Sequence, residues 1–362
     1  MERSSMHLVF LSTLQCLFLY TIASRAPALY IFGDSVVDSG NNNHLREGIK
    51  ANHPPYGIDF PNGVASGRFT NGYTIADFFG KWLGLPLTPP YYSTDESVRH
   101  KTIKGFNYAS GSARILPERE GTFARSLDLK KQVKLFEESI QRYVRLHFES
   151  KDELHKYLSK SIFLVIVGSD DYLDNYLQPK RYNSSKLRRS DKLAEVLTRE
   201  LALRLKELYN IGARKFIVSE INELGCLPYV INVVKPKTRC ARNVNNAVSI
   251  FNRKLGVQLH SLSSTLKGST FVTAKFTGLW EEILKHPKNY GIKETRKPCC
   301  ASHEDKSGQC KKDTKPCGTR NSHFFWDLWH PSEKIYKLAA KGCFNGTGMC
   351  TPLNVVQLAK KH

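Results

Sequence analysis

The chain has 362 residues, 41% hydrophobic and 24% charged, apolar enough to build a sizeable core, which excludes a disordered polymer. Its 54 Lys and Arg against 33 Asp and Glu leave a net charge of +21. That balance suits an anionic partner such as nucleic acid, an acidic membrane surface or an acidic polysaccharide, without choosing among them.

In chain order, residues 7–23 (HLVFLSTLQCLFLYTIA) form an apolar run behind Arg3, at the short limit for a membrane span and followed by the small residues Ala23 and Ser24. This reads as a cleaved secretory signal rather than a retained anchor. Residues 1–24 are therefore expected to be removed, leaving residues 25–362 as one secreted domain with no stable membrane insertion. Residues 28–32 (ALYIF) are a short apolar strand, 105–109 a weaker one and 161–167 (SIFLVIV) a strong one; 215–219 and 270–276 complete the set. Helical patterns lie between them at 126–146, from Ser190-Asp191 to a stop at Asn210 and Gly212, and at 243–266. Near-continuously apolar strands alternating with helices predict an α/β fold of three layers, with a parallel central sheet of about five strands.

Eight cysteines remain outside the leader: Cys226, Cys240, Cys299, Cys300, Cys310, Cys317, Cys343 and Cys350. An even number in a secreted chain reads as a disulfide framework, of connectivity that spacing leaves open among 105 pairings. No C-x-x-C or H-E-x-x-H pattern occurs, so no metal site is expected. Asn183 and Asn345 stand in N-x-S/T sequons and are candidate glycosylation sites. The basic residues are scattered, with no aromatic-interleaved module, and nucleic acid is excluded as the partner. Electrostatic association with an acidic extracellular polysaccharide, at the cell wall, remains the use of the charge.

In open parallel sheets reactive groups gather beyond the carboxyl ends of the strands. There the chain places Gly33-Asp34-Ser35, then Ser110-Gly111-Ser112, then Gly168-Ser169-Asp170-Asp171; near the C-terminus stands Asp327-Leu-Trp-His330. A serine hydroxyl needs a base within hydrogen-bond reach, and that base needs a group to hold its tautomer. Ser35, His330 and Asp327 can supply all three. Taken singly each signal is weak: Gly-Asp-Ser is common in plain turns, and another Asp-x-x-His, Asp152 to His155, reads as an exposed helical face. The aromatics around the Asp/His pair, Phe324, Phe325, Trp326 and Trp329, read as core and pocket wall. The G-x-S-x-G elbow is absent, which disfavours the ordinary α/β-hydrolase fold.

Several blocks together resemble the plant GDSL esterase/lipase branch of the SGNH hydrolases. These are residues 28–35 (ALYIFGDS) with 37–43 (VDSGNNN), 54–61 (PPYGIDFP), 67–72 (GRFTNG), 106–111 (FNYASG), 167–172 (VGSDDY), 212–215 (GARK), the cysteine-rich 299–317 and 325–331 (FWDLWHP). The resemblance runs in order from about residue 28 to 345. It implies a flavodoxin-like SGNH fold and cofactor-free hydrolysis of carboxylic esters through an acyl-enzyme. Ser35 would be nucleophile, His330 base and then acid, and Asp327 its orienting partner. The substrate would be a small-molecule, lipid or polysaccharide ester. It also implies an oxyanion hole from the Ser35 N–H, a glycine N–H at Gly111 and a side-chain amide at the position occupied by Asp170. Asp170 departs from the family's asparagine, and Arg114 stands where glycine or another small residue is usual. A carboxylate only accepts hydrogen bonds, so Asp170 is expected to weaken the esterase. The alternatives are an impaired secreted binding protein of the same fold, or an acyltransferase.

Overall fold

The computed structural model describes residues 25–117, 126–175, 190–301 and 308–361. The leader (1–24) and Asn183 lie outside them. Five strands form one sheet in the order β1 (Leu29–Gly33), β2 (Ile162–Ile166), β3 (Lys215–Ser219), β4 (Thr270–Ala274) and β5 (Cys350–Thr351). β1 to β4 pair in parallel; β5, only two residues long, is antiparallel to β4. The expectation of a parallel sheet thus holds for four strands and is corrected at the fifth. A long crossover is needed only to return in parallel, and the last strand instead returns from a helix end to cover an edge.

The expected strand at 105–109 is extended backbone lying along the free edge of β1. Leu29 and Ile31 donate to the carbonyls of Lys104 and Phe106, and Tyr108 and Ser110 donate to those of Ile31 and Gly33 (2.8–3.1 Å). Counted as a strand, it makes the spatial order 2-1-3-4-5-6, whose first five positions are the flavodoxin-like doubly wound arrangement with its switch point at the first strand.

The helices are α1 (Ile75–Trp82), α2 (Glu96–Arg99), α3 (Leu129–Arg142), α4 (Lys151–Lys160), α5 (Ser169–Asn175), α6 (Ser190–Ile211), α7 (Pro228–Val234), α8 (Arg242–Thr265), α9 (Thr277–Lys285), α10 (Glu333–Phe344) and α11 (Val355–Lys360). Alternate strand residues serve the two faces, because successive side chains point opposite ways. Tyr30, Phe163, Phe216 and Phe271 stand in register across β1 to β4, with neighbouring ring centroids 5.2, 5.7 and 4.5 Å apart. This ladder packs beneath α3, α6 and α8. Leu29, Ile31, Leu164, Ile217 and Val272 face the other way, against α1, α10 and α11. The long helices carry leucines at three- and four-residue spacing for this reason: Leu193, Leu197, Leu201, Leu205 and Leu208 of α6 are all buried.

The eight cysteines pair as Cys226–Cys240, Cys299–Cys317, Cys300–Cys310 and Cys343–Cys350. No pair is more than 18 residues apart, so each bridge pins a local loop. Among the described residues, no helix is long and apolar enough to cross a membrane.

Candidate active site

The site forms where β1 ends. A Cβ on Gly33 would lie 2.2 Å from the carbonyl oxygen of Ile166, so only glycine lets β1 pass this close to β2 as it turns. The side-chain amide of Gln132 fixes the turn by accepting from Gly33 N–H and donating to its carbonyl, both at 2.8 Å. Asp34 then donates its N–H to Ile166 (3.0 Å), while its own carbonyl accepts from Val37 and Asp38. Its carboxylate accepts on Oδ1 from Val36 at 3.0 Å, while Oδ2 is buried without a partner among the described residues. Full burial pushes the Asp34 carboxyl up to about 7, against the opposing pull of that hydrogen bond and of His330. Ser35 is thereby held at the strand tip with 9% of its surface exposed.

The second half comes from the loop before α10. Asp327, with no exposed surface, accepts on Oδ1 from the N–H groups of Trp329 (2.8 Å) and His330 (2.7 Å). This Asx-type turn curls the Asp-x-x-His segment back on itself. His330 Nδ1 lies 2.9 and 2.8 Å from the two Asp327 oxygens, and its Nε2 lies 2.7 Å from Ser35 Oγ. A carboxylate can only accept, so the proton of a neutral imidazole sits on Nδ1 and Nε2 is left to accept from the serine. Residues 295 apart in sequence are thus joined in one hydrogen-bonded chain. Phe69 packs its ring 5.2 Å from that of His330.

The expected oxyanion residues fare differently. Gly111 is corrected: its N–H donates to the buried carboxylate of Asp38 at 2.9 Å, so it has no proton left for a reacting oxygen. Ser112 takes its place at the cavity wall, in a left-handed conformation with φ 65°. Among the described residues, the N–H groups of Ser35 and Ser112 donate to nothing. Asp170, in the first turn of α5, lines the cavity beside Ser169 and Ser35. Asn107 lies away from it, its side chain spanning Val37 carbonyl and Ala109 N–H. From sequence, Ser112 is visible only beside Gly111, not as a donor, and Tyr56 only as part of a motif. The Tyr56 hydroxyl donates to Asp327 Oδ2 at 2.7 Å.

Ser35 and His330 open onto a cavity of about 900 Å³. Arg114, Asp170 and Glu47 lie on its wall together with a largely apolar group: Ile75 from α1, Phe276, Leu279, Trp280 and Ile283 from the α9 region, and Ile335, Tyr336 and Ala339 from α10. Among the described residues the Trp280 indole N–H and the Tyr336 hydroxyl are buried without a partner. A neighbouring concavity shares Gly48 and Gln309 with it and carries Lys50, His53 and Lys312. Among the described residues, the cluster best spaced for a metal is Cys299, Cys317 and His323. Its two sulfurs are joined in a disulfide and are not thiolate ligands. Asn345 caps the end of α10 and is exposed.

Comparison with known proteins adds an independent line. The sequence matches the family described as GDSL-like lipase/acylhydrolase over residues 29–342. GDSL esterase/lipase 7 of Arabidopsis thaliana is 38% identical over 92% of both chains. A second Arabidopsis GDSL esterase/lipase is 35% identical over 92% of this chain and 88% of its own, and a third is 36% identical over 93% and 92%.

Proposed function

The chain belongs to the GDSL-like lipase/acylhydrolase family, and on that premise we propose that it is a secreted serine esterase working through Ser35, His330 and Asp327. As a family member it is a carboxylic ester hydrolase. The observation that carries the residue roles is the unbroken chain from Ser35 Oγ through the imidazole to the Asp327 carboxylate.

His330 Nε2 takes the Ser35 proton as Oγ attacks the ester carbonyl carbon. Asp327, bonded to Nδ1–H, holds the tautomer and stabilises the imidazolium. The carbonyl oxygen, now negative, accepts from the Ser35 and Ser112 amides, which among the described residues donate to nothing else. Collapse expels the alcohol, which receives the proton back from Nε2. Water then enters by the same route and releases the acid. Replacing water by another alcohol would make the same first half-reaction an acyl transfer.

Asp170 stands where a third donor would help. As a carboxylate it supplies none, and turnover is slow at neutral pH in consequence. The acyl chain occupies the apolar arm under α9 and α10. Lys50, His53 and Lys312 beside the mouth, with the net charge of +21, favour retention on acidic extracellular polysaccharide. Removal of residues 1–24, export, and glycosylation at Asn345 and Asn183 belong to the same reading.

A fluorophosphonate probe should label Ser35 in the wild-type chain, and Ser35→Ala should lose both labelling and short-chain aryl ester turnover. Turnover surviving in Ser35→Ala would refute the nucleophile. Absence of labelling and of turnover in the wild type would make the chain a binding protein of this fold.

A further inference from the structure

Asp327 has two oxygens and unequal company. Oδ1 accepts from two backbone amides of its own turn. Oδ2 faces His330 Nδ1 at 2.8 Å and one further group, the Tyr56 hydroxyl at 2.7 Å. That phenol in turn accepts from the N–H of Cys310 at 3.1 Å. The direction of each bond is forced, since a backbone N–H cannot accept and a carboxylate cannot donate. The single phenolic proton therefore goes to Asp327.

The loop that holds Tyr56 also holds the segment carrying Asp327. Cys310 is bridged to Cys300, and Cys300 N–H donates to the carbonyl of Trp326, the residue before Asp327, at 2.9 Å. Lys311 N–H closes the loop onto Ala301 at 2.7 Å. The Tyr56 ring meets Phe69 edge-on at 6.1 Å, and Phe69 lies against the imidazole. Ring and hydroxyl thus do separable things: the ring braces Phe69 and the hydroxyl bonds the carboxylate. Tyr56 is not on the cavity wall.

We infer that Tyr56 is a positioning residue for Asp327, its hydroxyl tying the carboxylate to the loop closed by Cys300–Cys310, so that the basicity and aim of His330 depend on that loop. This rests on the reading of Ser35, His330 and Asp327 as the reacting chain. Burial and the neighbouring Asp327 carboxylate hold the Tyr56 phenol well above its ordinary range, so it stays a donor throughout the working pH range. With the hydroxyl gone, the carboxylate keeps more of its charge for Nδ1–H, and the imidazolium is favoured. It also loses one of the bonds that aim it.

The test is the rate of Ser35 labelling by a fluorophosphonate and kcat and KM for an aryl butyrate, each against pH, in wild type and Tyr56→Phe. Tyr56→Phe keeps the ring. We expect plateau kcat about tenfold lower with KM unchanged, as for a lost aiming contact, and the acid limb of kcat/KM moved up by about half a pH unit. Cys300→Ser with Cys310→Ser, which opens the loop that holds the Tyr56 hydroxyl while leaving the Tyr56 side chain itself intact, should move the limb the same way and gives a second reading if either variant folds poorly. A Tyr56→Phe enzyme with the wild-type limb and wild-type labelling rate overturns the inference, as does a change in KM alone. A wild type that is never labelled at Ser35 overturns instead the reading beneath it.

Discussion

Asp170→Asn should make this enzyme faster, and the structure bounds by how much. On the proposed reading the oxyanion meets the N–H groups of Ser35 and Ser112, which among the described residues donate to nothing else. At the third position, the first turn of α5, stands a carboxylate. The substitution is isosteric and turns an acceptor into a donor. One oxyanion donor is worth about 10² to 10³ in kcat, roughly 2.7 to 4 kcal/mol, in a site closed to water. Asp170 is only half-buried, and solvent already screens part of its charge, so the gain belongs at the lower end, near 10². The contact is made only as charge develops, so kcat should rise while KM for a short acyl ester stays within about twofold. The assay is hydrolysis of an aryl butyrate at pH 7, with both proteins normalised by fluorophosphonate titration of Ser35. A variant that titrates fully and turns over no faster than wild type would show that Asp170 does not face the oxyanion. Robust neutral-pH turnover by the wild type would do the same.

Burial raises Asp34 from 3.8 to about 7, Asp38 from 3.8 to about 6, and, with the added repulsion of Glu281, Glu223 from 4.5 to about 7. The folded state therefore holds protons that the unfolded chain has released; the stability this confers is fully present below about pH 4, declines from there and is lost by about 6 to 7, where the folded groups ionise. Asp77 and Asp59, lowered by their bonds to Arg68 and Arg320 despite opposing burial, work the other way and lose their contribution only below the usual carboxylate range. Tm should accordingly be highest near pH 4 and fall as pH rises to about 7, with a shallower fall in Glu223→Gln; a Tm that climbs from about pH 4 to 7 refutes the sign. Ala339→Phe should block the apolar arm and raise KM for an octanoyl ester about tenfold or more by displacing two or three methylenes, while leaving acetyl ester turnover intact; equal effects on both esters would place the acyl chain elsewhere. Cys299→Ser with Cys317→Ser, opening a span of 18 residues, should cost about 3 kcal/mol in thermal or denaturant unfolding. An unchanged midpoint would mean that the bridge does not constrain the unfolded chain.

Much of this protein can be read without coordinates. Apolar strands that serve two covered faces are visible as unbroken runs such as IFLVI of β2, and the leucine spacing of α6 marks the helix that covers one of them. Gly-Asp-Ser at a strand end and Asp-x-x-His before a helix are local patterns, because the Gly33 turn and the Asp327 turn are built from neighbours in sequence. The resemblance across many blocks then brings the two halves together. What lies beyond reach is any property that depends on where a single N–H points. Gly111 looks like a free amide in the string of letters; it is taken by Asp38, 73 residues away, whereas the Ser112 N–H donates to nothing among the described residues. The short edge strand β5 runs antiparallel because a helix end returns it beside β4, and two residues carry no pattern of their own. Cysteine spacing permits many pairings, and only folding shows that each cysteine joins a near neighbour. Tyr56 sits in a proline-rich turn motif, and nothing in that motif announces a hydroxyl 2.7 Å from a carboxylate 271 residues on. Periodicity and local turn chemistry are written along the chain, so the sequence by itself determined the layers and the Ser-His-Asp chain; hydrogen-bond partners across the fold are settled by three-dimensional packing, so only the tertiary structure decided which donors the site has left to use.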